Sequence, residues 1–383
     1  MRKFFQELAD FFRKADMVLL LLCLITTAFG CVIIASTTAH MGSTRYVIVQ
    51  LAAAALGVLL YAIISSIDLD YFFEHRRAMF IFNCFLLLLL VPFGTDNNTG
   101  NYSWLDIPLL PVQIQPAEIC KITFVLILAS VMSSHQNRLS SIPSIFHMAF
   151  HLVALFGLNM VLSSDAGVSL IFVFIFIGMA FAGGVSLLWF ALGGSAIAVG
   201  FPIIWPYLGQ HQRNRIMILF DESIDPMAIK ERYHTNQNLL SLTAGDLTGQ
   251  GLFNGTRTQA GALYAQHTDY IFSAIGEELG FLGCLSVVIL ELIIIARCIY
   301  VGIRTPDFGR RLVCFGAAAA LIFQVTSNVG MCVGLTPVIG LTMPFVSYGG
   351  SSILSLYALL GLVSGVYARP TPGKQGLYIQ PPR

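Results

Sequence analysis

The sequence predicts an all-α integral membrane protein with ten transmembrane helices. Hydrophobic residues make up 56% of the 383 residues and charged residues only 11%, whereas a soluble domain carries about 25% charged residues. The mean hydropathy is +0.77. Apolar stretches of about 20 residues, the length that crosses a bilayer as a helix, recur along the chain.

The apolar stretches give the order of the spans. The first begins at Met17 and is longer than the roughly 7–15 apolar residues of a signal peptide, so we expect an uncleaved first helix. The fifth to seventh stretches are joined by very short turns, and the region 147–205 can be divided differently. The expected spans are 17–37, 46–65, 78–94, 117–133, 147–163, 166–183, 186–205, 271–298, 312–334 and 346–367.

The distribution of Lys and Arg predicts the orientation. Fourteen of the 21 Lys and Arg residues fall in segments on the side of the N-terminus, whereas Arg45 alone lies in a short loop on the other side. Short cytoplasmic loops carry the excess of positive charge. We therefore expect cytoplasmic termini and a large extracellular loop between helices 7 and 8. The expected organisation is one domain, 1–383, with a cytoplasmic segment 1–16, the loop 206–270 and a cytoplasmic tail 368–383.

Several common kinds of site are absent from the sequence. The eight cysteines form no CxxC pair and have no histidine at ligand spacing, so a zinc site or a disulfide framework is not expected. A net charge of +1, without a run of basic and aromatic residues, argues against nucleic-acid binding. The chain also lacks the phosphate-loop, HExxH and GxSxG motifs, which excludes the chemistry that depends on them.

Charged residues near or within the spans are candidate functional positions, because a charge in the bilayer is costly unless it is paired or hydrated. Glu118 and Lys121 are three residues apart, which places them on one helix face in the favourable order. They form either a structural ion pair or part of a polar cavity for a charged head group. Asp165 separates two apolar stretches and suits a helix cap, a re-entrant turn or a cavity.

Three glutamates occupy the eighth span. At 100° per residue, Glu277 lies about 80° from Asp269 and can share its wet side, whereas Glu278 lies opposite. We expect Glu278 to bond a neighbouring helix. Glu291 is nearer the cytoplasmic end, where we expect it to reach the interface or to form an ion pair.

The loop 206–270 is the only long polar run and the expected place for chemistry. Arg213 and Arg215 suit a phosphate or diphosphate, although ordinary solvated loop cations are the plainer interpretation. Asp269 precedes the eighth span at a helix N-terminus, where the macrodipole favours the ionised form, and an ionised carboxylate can act as a general base. Capping of that helix is the alternative. His267 and Thr268 either orient Asp269 or shape the turn.

Three motifs carry a family resemblance. The segments GLTPVIGLTMPFVSYGGSS (334–352), QPAEICK (115–121) and HTDYIFSAIGEELGFLG (267–283) resemble the SEDS proteins, the shape, elongation, division and sporulation group. The resemblance covers nearly the whole chain in order, including the ten spans and the large outer loop. PFVSYGGSS is its most specific block, and the RodA-like members of elongation are the most similar in overall pattern.

The resemblance implies a peptidoglycan glycosyltransferase that polymerises lipid II at the outer face of the bacterial cytoplasmic membrane, for elongation and cell shape. It places the essential loop aspartate, the expected catalytic base, at Asp269. It places the family's buried Glu and Lys at Glu118 and Lys121 and its cavity aspartate at Asp165, and Ser347–Ser352 would line the same outer cavity. The residues expected to bind substrate are Glu118, Lys121, Asp165, Arg213, Arg215, His267, Thr268, Glu277, Ser347, Tyr348 and Ser351.

The resemblance also implies partners. These are lipid II, the nascent glycan strand and a class B penicillin-binding protein, a transpeptidase that crosslinks the new glycan. The sequence specifies no cofactor and no metal ligands. A divalent cation such as Mg²⁺ is a candidate for offsetting the charge of the departing diphosphate, together with cations of the loop.

The chain departs from the family pattern beside both site aspartates. Ala265 and Gln266 stand where relatives commonly have Pro and Glu, so a nearby acid is missing. Ser164 and Ala166 flank Asp165 in place of the usual Pro and Leu. These changes concern the assignment of the chain to a sub-family and the details of the acceptor that it uses.

Two other functions suit the same residues. Buried charges in a polytopic fold also suit a flippase for the lipid-linked precursor, and a catalytically silent scaffold for a transpeptidase is a third alternative. A flippase needs polar groups through both leaflets. The ionisable groups here cluster toward the outer half, apart from Glu291, which favours chemistry at the surface.

Overall fold

The computed structural model describes residues 13–95, 101–106, 114–207, 209–221, 225, 231–263 and 265–371. Nine helices in this part of the chain are long and apolar enough to cross a membrane, and Ala166–Ala182, with 17 residues, is apolar but shorter. These helices coincide with the ten expected stretches. The helical membrane fold is therefore confirmed, while the number of crossings and the orientation stay predictions. Most of the terminal segments 1–16 and 368–383 falls outside the described residues.

The described residues form helices and one two-stranded sheet. In chain order the helices are α1 Met17–Thr37, α2 Arg45–Ser66, α3 Leu69–Glu74, α4 Arg76–Leu88, α5 Leu90–Phe93, α6 Pro116–Ser134, α7 Ile142–Ser163, α8 Ala166–Ala182, α9 Leu187–Ile204, α10 Gln210–Met217, α11 Glu231–Ala244, α12 Thr256–Gln259, α13 Ile271–Arg304, α14 Phe308–Cys332 and α15 Gly350–Ala368. The strands β1 (Gly94–Thr95) and β2 (Trp104–Leu105) pair antiparallel, with Gly94 opposite Leu105.

Several helices begin at residues whose side chains suit a helix start. Asp16 accepts a hydrogen bond from the Leu19 amide at 3.0 Å, and Asp307 accepts one from the Arg310 amide at 2.8 Å. Pro116 occupies the first turn of α6, where a missing N–H costs nothing. Such caps satisfy amide groups that the helix itself leaves unpaired.

The core is built from α6, α14 and α15, whose residues are mostly buried. Helix α15 packs along α2 at close range, because glycines face bulky side chains there. A Cβ at Gly57 would lie 2.6 Å from the Tyr357 ring, and a Cβ at Gly361 would lie 3.0 Å from the Tyr61 Cα. Small residues at such crossings allow the close packing that holds helices together in lipid. Helix α9 lies at the periphery, with no buried residue.

Helix α13 is interrupted near its start, at Gly280. This residue has φ 68° and ψ −165°, a conformation that only glycine adopts readily. The loop before α12 fills the interruption: the amides of Phe281 and Leu282 donate to the carbonyls of Asp246 (2.9 Å) and Leu247 (3.2 Å). The first two turns of α13 are therefore fixed to the polar loop, which positions the residues at the helix start.

The end of the bundle remote from Asp269 is tied by charged side chains. Arg297 forms a two-point contact with Asp16, at 2.9 and 3.0 Å. Arg310 is fully buried and contacts Asp68 at 2.7 Å and Asp70 at 2.9 Å. Both contacts join elements distant in sequence.

The structure differs from the expected elements in three places. Helix α15 begins at Gly350 rather than at residue 346, because residues 343–348 form a turn closed by the Ser347 hydroxyl, which accepts a bond from the Met343 amide at 2.9 Å. The loop 206–270 contains the helices α10, α11 and α12. The short sheet was not expected in an all-α protein.

Candidate active site

Asp269 lies directly before α13, at the surface where the polar loop meets the bundle. Its side chain is partly buried and accepts no hydrogen bond from the described residues. Its backbone carbonyl accepts from the Asn328 side chain at 2.8 Å. Tyr270 is the N-cap residue of α13, and its side chain accepts no hydrogen bond from the first turn of the helix. The capping alternative for Asp269 is therefore wrong, and its carboxylate is left available.

The expectation that the helix N-terminus keeps Asp269 acidic is also wrong. Burial and, to a smaller extent, the negative charge of Asp165 together raise the pKa of Asp269 to about 6. Removal from water outweighs the helix dipole here, because the side chain makes no bond to the amides of α13. A carboxylate with this pKa is a stronger base than an exposed aspartate and is still mostly ionised at neutral pH.

The segment 340–348 holds the backbone around Asp269. Asn328 bridges the carbonyls of Asp269 and Leu341, at 2.8 and 2.7 Å. The Ser347 hydroxyl donates to the Thr268 carbonyl at 2.6 Å. A Cβ at Gly340 would lie 3.5 Å from the Asp269 carboxylate, so this glycine keeps the approach to the carboxylate open.

An aromatic cluster lies beside this turn. The rings of His267 and Tyr348 are 5.7 Å apart, and Tyr46 of α2 touches both, at 4.8 and 5.1 Å. The Tyr348 amide donates to the His267 carbonyl at 2.8 Å. Burial lowers the pKa of His267, and the positive charge of His40 adds to the effect. The structure thus brings together His267, Thr268, Ser347 and Tyr348. That they line one substrate cavity, as the family resemblance implies, stays a prediction.

Two glutamines complete the support for the turn. Gln50 donates to the Ser347 carbonyl at 3.0 Å and accepts from the Gly349 amide at 3.2 Å. Gln266 is buried and donates to the carbonyls of Thr37 (2.6 Å) and Thr258 (3.0 Å). The residue that replaces the expected acid beside Asp269 is therefore a structural tie between α1 and the loop.

Asp165 caps α8, which was one of its expected roles. One carboxylate oxygen accepts from the Val168 amide at 3.1 Å, and the other accepts from Ser103 at 3.1 Å and from Gln115 at 3.4 Å. Ser103 directly precedes β2, so the small sheet serves to place this donor. Burial raises the pKa of Asp165 despite these bonds. Because its charge affects the titration of Asp269, the two carboxylates belong to one electrostatic environment.

Glu118 and Lys121 form the buried ion pair expected from their spacing. The Lys121 ammonium lies 2.7 Å from Glu118 Oε2, and the side chains are only 1% and 5% exposed. Ser355 of α15 donates to the same oxygen of Glu118, which joins α6 to α15. Glu118 also contributes to raising the pKa of Asp165, so the pair lies in the same part of the molecule as the two aspartates.

Glu277 does not share a wet side with Asp269: it is fully buried. Its carboxylate accepts from the amides of Arg257 (2.6 Å) and Thr258 (3.1 Å), and from the Thr258 hydroxyl at 2.8 Å. The Glu277 carboxylate is therefore hydrogen-bonded to the start of α12, and these bonds hold the loop against α13. Glu278 bonds a neighbouring helix as expected, since the Ser36 hydroxyl of α1 donates to it at 2.6–2.7 Å.

Glu291 neither reaches the interface nor forms an ion pair. It is fully buried, and neither carboxylate oxygen has a hydrogen-bond partner among the described residues. The expected polar contacts fail because α13 turns this position toward the apolar core rather than toward the end of the helix.

The remaining expected residues are placed less directly. Arg213 lies in α10, is partly buried and has polar partners of its own. Arg215 lies in the same helix, and its side chain falls outside the described residues. Ser351 is buried, and its hydroxyl has no partner in the described part of the chain. The part of these residues in binding stays a prediction, as it does for the other site residues.

The donor set does not form a metal site. Among the described residues, no group of three or more His, Cys, Asp or Glu side chains could hold a metal ion.

Sequence reasoning missed Tyr46, Gln50, Ser103, Gln115 and Asn328. Gln50 and Asn328 are polar residues in apolar helices, a signal that was available in the sequence. Their partners are backbone groups far along the chain, which the sequence does not reveal. Arg257 was also missed; its guanidinium donates to Ser241 at 3.0 Å and to Gln237.

The chain is similar to known proteins over most of its length. Residues 16–370 match the model of the FtsW/RodA/SpoVE family, described as cell cycle protein. The peptidoglycan glycosyltransferase MrdB of Escherichia coli (strain K12) is 30% identical over 318 residues, which cover 82% of this chain and 83% of that protein. The probable peptidoglycan glycosyltransferase FtsW of Trichlorobacter lovleyi is 30% identical over 373 residues, covering 94% and 96%.

Solved structures share the fold. A chain from work on the structural coordination of polymerization and crosslinking by a peptidoglycan synthase complex matches with a TM-score of 0.77 at 27% identity, covering 92% of this chain and 97% of that one. The rod shape determining protein RodA of Thermus thermophilus matches with a TM-score of 0.68 at 25% identity, covering 92% and 96%. The sequence matches and the shared fold agree, and the chain belongs to the FtsW/RodA/SpoVE family of SEDS proteins.

Proposed function

We propose that this protein is a peptidoglycan glycosyltransferase that polymerises lipid II into glycan strands, with Asp269 as the general base. The observation that carries the proposal is the state of one carboxylate. Asp269 is fixed through its backbone, lies partly buried without a hydrogen-bond partner among the described residues, and has its pKa raised to about 6 by burial. A base in this state is ready to accept a proton from a bound hydroxyl.

The chemistry follows from that position. Asp269 takes the proton of the acceptor sugar hydroxyl as the hydroxyl oxygen attacks the anomeric carbon of the donor. The bond between this carbon and the diphosphate oxygen breaks, and undecaprenyl diphosphate leaves with the bonding electrons. A single displacement inverts the anomeric centre, so an α-linked donor yields a β-linked strand. The proton on Asp269 then returns to solvent.

Neighbouring residues position the base and receive the substrate. Ser347 and Asn328 fix the turn that carries Asp269, through bonds to backbone carbonyls on either side of its side chain. Asp165 keeps the pKa of Asp269 high through its charge. Lys121 contacts Glu118, and the charge of Glu118 in turn acts on Asp165. We assign to Lys121 and to the loop cations Arg213 and Arg215 the binding of anionic groups of the substrate.

The membrane setting completes the proposal. Asp269 lies at the end of the bundle that the distribution of Lys and Arg predicts to face the exterior. A solved relative belongs to a complex that coordinates polymerization and crosslinking. By analogy, a class B penicillin-binding protein is the proposed partner of this chain, and elongation of the cell wall is its proposed role.

Polymerisation of lipid II in detergent tests the proposal, because it requires no transport across a membrane. Purified wild-type protein should form glycan polymer that is visible on a gel. Asp269→Asn should lower the rate by about 10²–10⁴-fold, the contribution of a positioned base. Asp246→Asn provides a matched control, since Asp246 is an exposed residue of the same loop. Undiminished polymer from folded Asp269→Asn protein would refute the assignment.

The flippase alternative receives no support from the helix that carries the buried pair. Beyond Lys121, the side chains of α6 from Phe124 to Ala129 are apolar and at most 2% exposed. A path for a charged head group through the second leaflet would need polar groups there. A silent scaffold would leave the perturbed carboxylate of Asp269 without a task.

A further inference from the structure

A second site lies at the opposite end of the bundle from Asp269. A cavity of about 390 Å³ opens between α4 and α7 and is lined by two arginines, two histidines and three apolar residues. It adjoins Ser134 at the end of α6, because the Arg76 guanidinium donates to the Ser134 hydroxyl at 2.6 Å. Glu118 lies near the other end of α6, about 24 Å away by the helical rise.

The cavity presents positive charge without a matching acid. The Arg76 guanidinium donates to the Ser134 hydroxyl and the Ser130 carbonyl, and it forms no ion pair with a carboxylate of the described residues. Arg77 is exposed and forms no hydrogen bond or ion pair with the described residues. No acidic side chain lines the cavity. Glu74, the nearest acid along the chain, forms no ion pair in the described part.

Histidines extend the polar wall of the cavity. The His147 ring lies 5.2 Å from His151 and 5.3 Å from His135. These side chains do not form a metal site within the described residues. His147 lines the cavity and can donate a ring N–H, whereas His151 already donates through Nδ1 to the His147 carbonyl at 2.9 Å. The two arginines and His147 together suit an anionic group that needs several donors at once.

The outer wall of the cavity is apolar and is exposed on the side of the bundle that lipid acyl chains would contact. Ile81 and Phe150 are 68% and 57% exposed, and the Phe80 and Phe150 rings are 5.6 Å apart. A basic pocket between two membrane helices, continued by exposed apolar side chains, matches a ligand with an anionic head and a hydrocarbon tail.

We propose that this cavity binds an anionic phospholipid of the leaflet that contacts this end of the bundle. Its phosphate contacts Arg76 and Arg77, with His147 and His151 alongside. One acyl chain follows the surface formed by Ile81 and Phe150. The site is independent of the polymerisation chemistry, since it shares no residue with the surroundings of Asp269.

Native mass spectrometry of the full-length protein tests the proposal. The detergent-purified protein is titrated with phosphatidylglycerol and with phosphatidylcholine of the same acyl chains. The wild type should bind phosphatidylglycerol preferentially. Arg77→Gln should weaken that binding about fivefold, the effect of one basic residue near an anionic lipid, and Arg77→Lys should retain most of it. Arg304→Gln removes an equal charge at the same end of the bundle, outside the cavity, and should change nothing.

Two further arms locate the ligand and identify its source. A phosphatidylglycerol with a photoreactive acyl chain should label the segments that contain Ile81 and Phe150. Inorganic phosphate should not displace the lipid. Equal loss of binding in Arg77→Gln and Arg304→Gln would overturn the proposal, because it would indicate a general effect of charge. Displacement by inorganic phosphate, or labelling elsewhere, would overturn it as well.

Discussion

The raised pKa of Asp269 should set the acid limb of the reaction, and the charge of Asp165 should contribute the smaller part of that shift. Asp269 must be ionised to act as a base, and its pKa lies near 6 instead of the ordinary 3.8. The rate of polymerisation should therefore fall as the pH falls through about 6, with a limb more than one pH unit above that of an ordinary aspartate. The raised pKa corresponds to about 3 kcal/mol of lost preference for the charged form.

Asp165→Asn removes one of the two causes of this shift. Burial is the larger cause and remains, so the acid limb should move down by less than about one pH unit, to between about 5 and 6. The fold should survive, because asparagine caps helices as well as aspartate does and keeps an oxygen for the Ser103 hydroxyl.

The assay is kcat/KM for lipid II polymerisation, measured from initial rates at limiting substrate from pH 4.5 to 8, because this ratio reports the pKa of the free enzyme. Asp246→Asn, in the exposed part of the same loop, should keep the limb of the wild type. A wild-type limb near pH 4 would contradict the burial argument. An unshifted limb in active Asp165→Asn protein would contradict the coupling of the two aspartates.

Two further predictions concern stability. Lys121→Met leaves Glu118 buried without its cation and should cost about 3–5 kcal/mol in thermal unfolding of the detergent-solubilised protein; a loss below 1 kcal/mol would mean that the pair does not stabilise the fold. Gly280→Ala forces a strained backbone and places a Cβ 2.4 Å from the Gly249 amide nitrogen, so it should lower stability by at least about 1–3 kcal/mol. Gly157→Ala, where a Cβ meets nothing within 4 Å, is the control and should leave the unfolding temperature nearly unchanged.

The sequence was sufficient to predict features that depend on the residues of a single helix. The apolar stretches located the helices, because length and composition alone determine whether a segment can span a bilayer. The spacing of Glu118 and Lys121 predicted their contact, because residues three positions apart lie on the same face of a helix. The angular position of Glu278 on α13 correctly predicted that its side chain bonds a neighbouring helix.

The sequence was insufficient where distant segments meet. Asn328 and Gln50 donate to backbone carbonyls of the site across separations of 59 and 297 residues. The polarity of these two side chains does not predict which backbone groups they bind. The kink at Gly280 lies in a segment with an uninterrupted helical pattern and exists because the loop supplies the missing backbone bonds. Glu277 faces that loop, so a helical angle measured from Asp269 could not predict its burial.

The same limit applies to the titration of Asp269. Its place before a helix predicted a carboxylate held in the ionised form, whereas burial and the charge of Asp165 raise its pKa in the folded protein. Burial of this kind depends on how the turn at 340–348 packs over it. Only the assembled structure contains that information.

The most direct test of the account is a structure of the wild-type protein with lipid II and an unreactive acceptor analogue. A carboxylate oxygen of Asp269 should lie about 2.6–3.2 Å from the acceptor hydroxyl, the range of a general base, and on the side of the anomeric carbon opposite to the diphosphate. An acceptor hydroxyl bound to another side chain, with Asp269 separated from it by more than one water, would contradict the account.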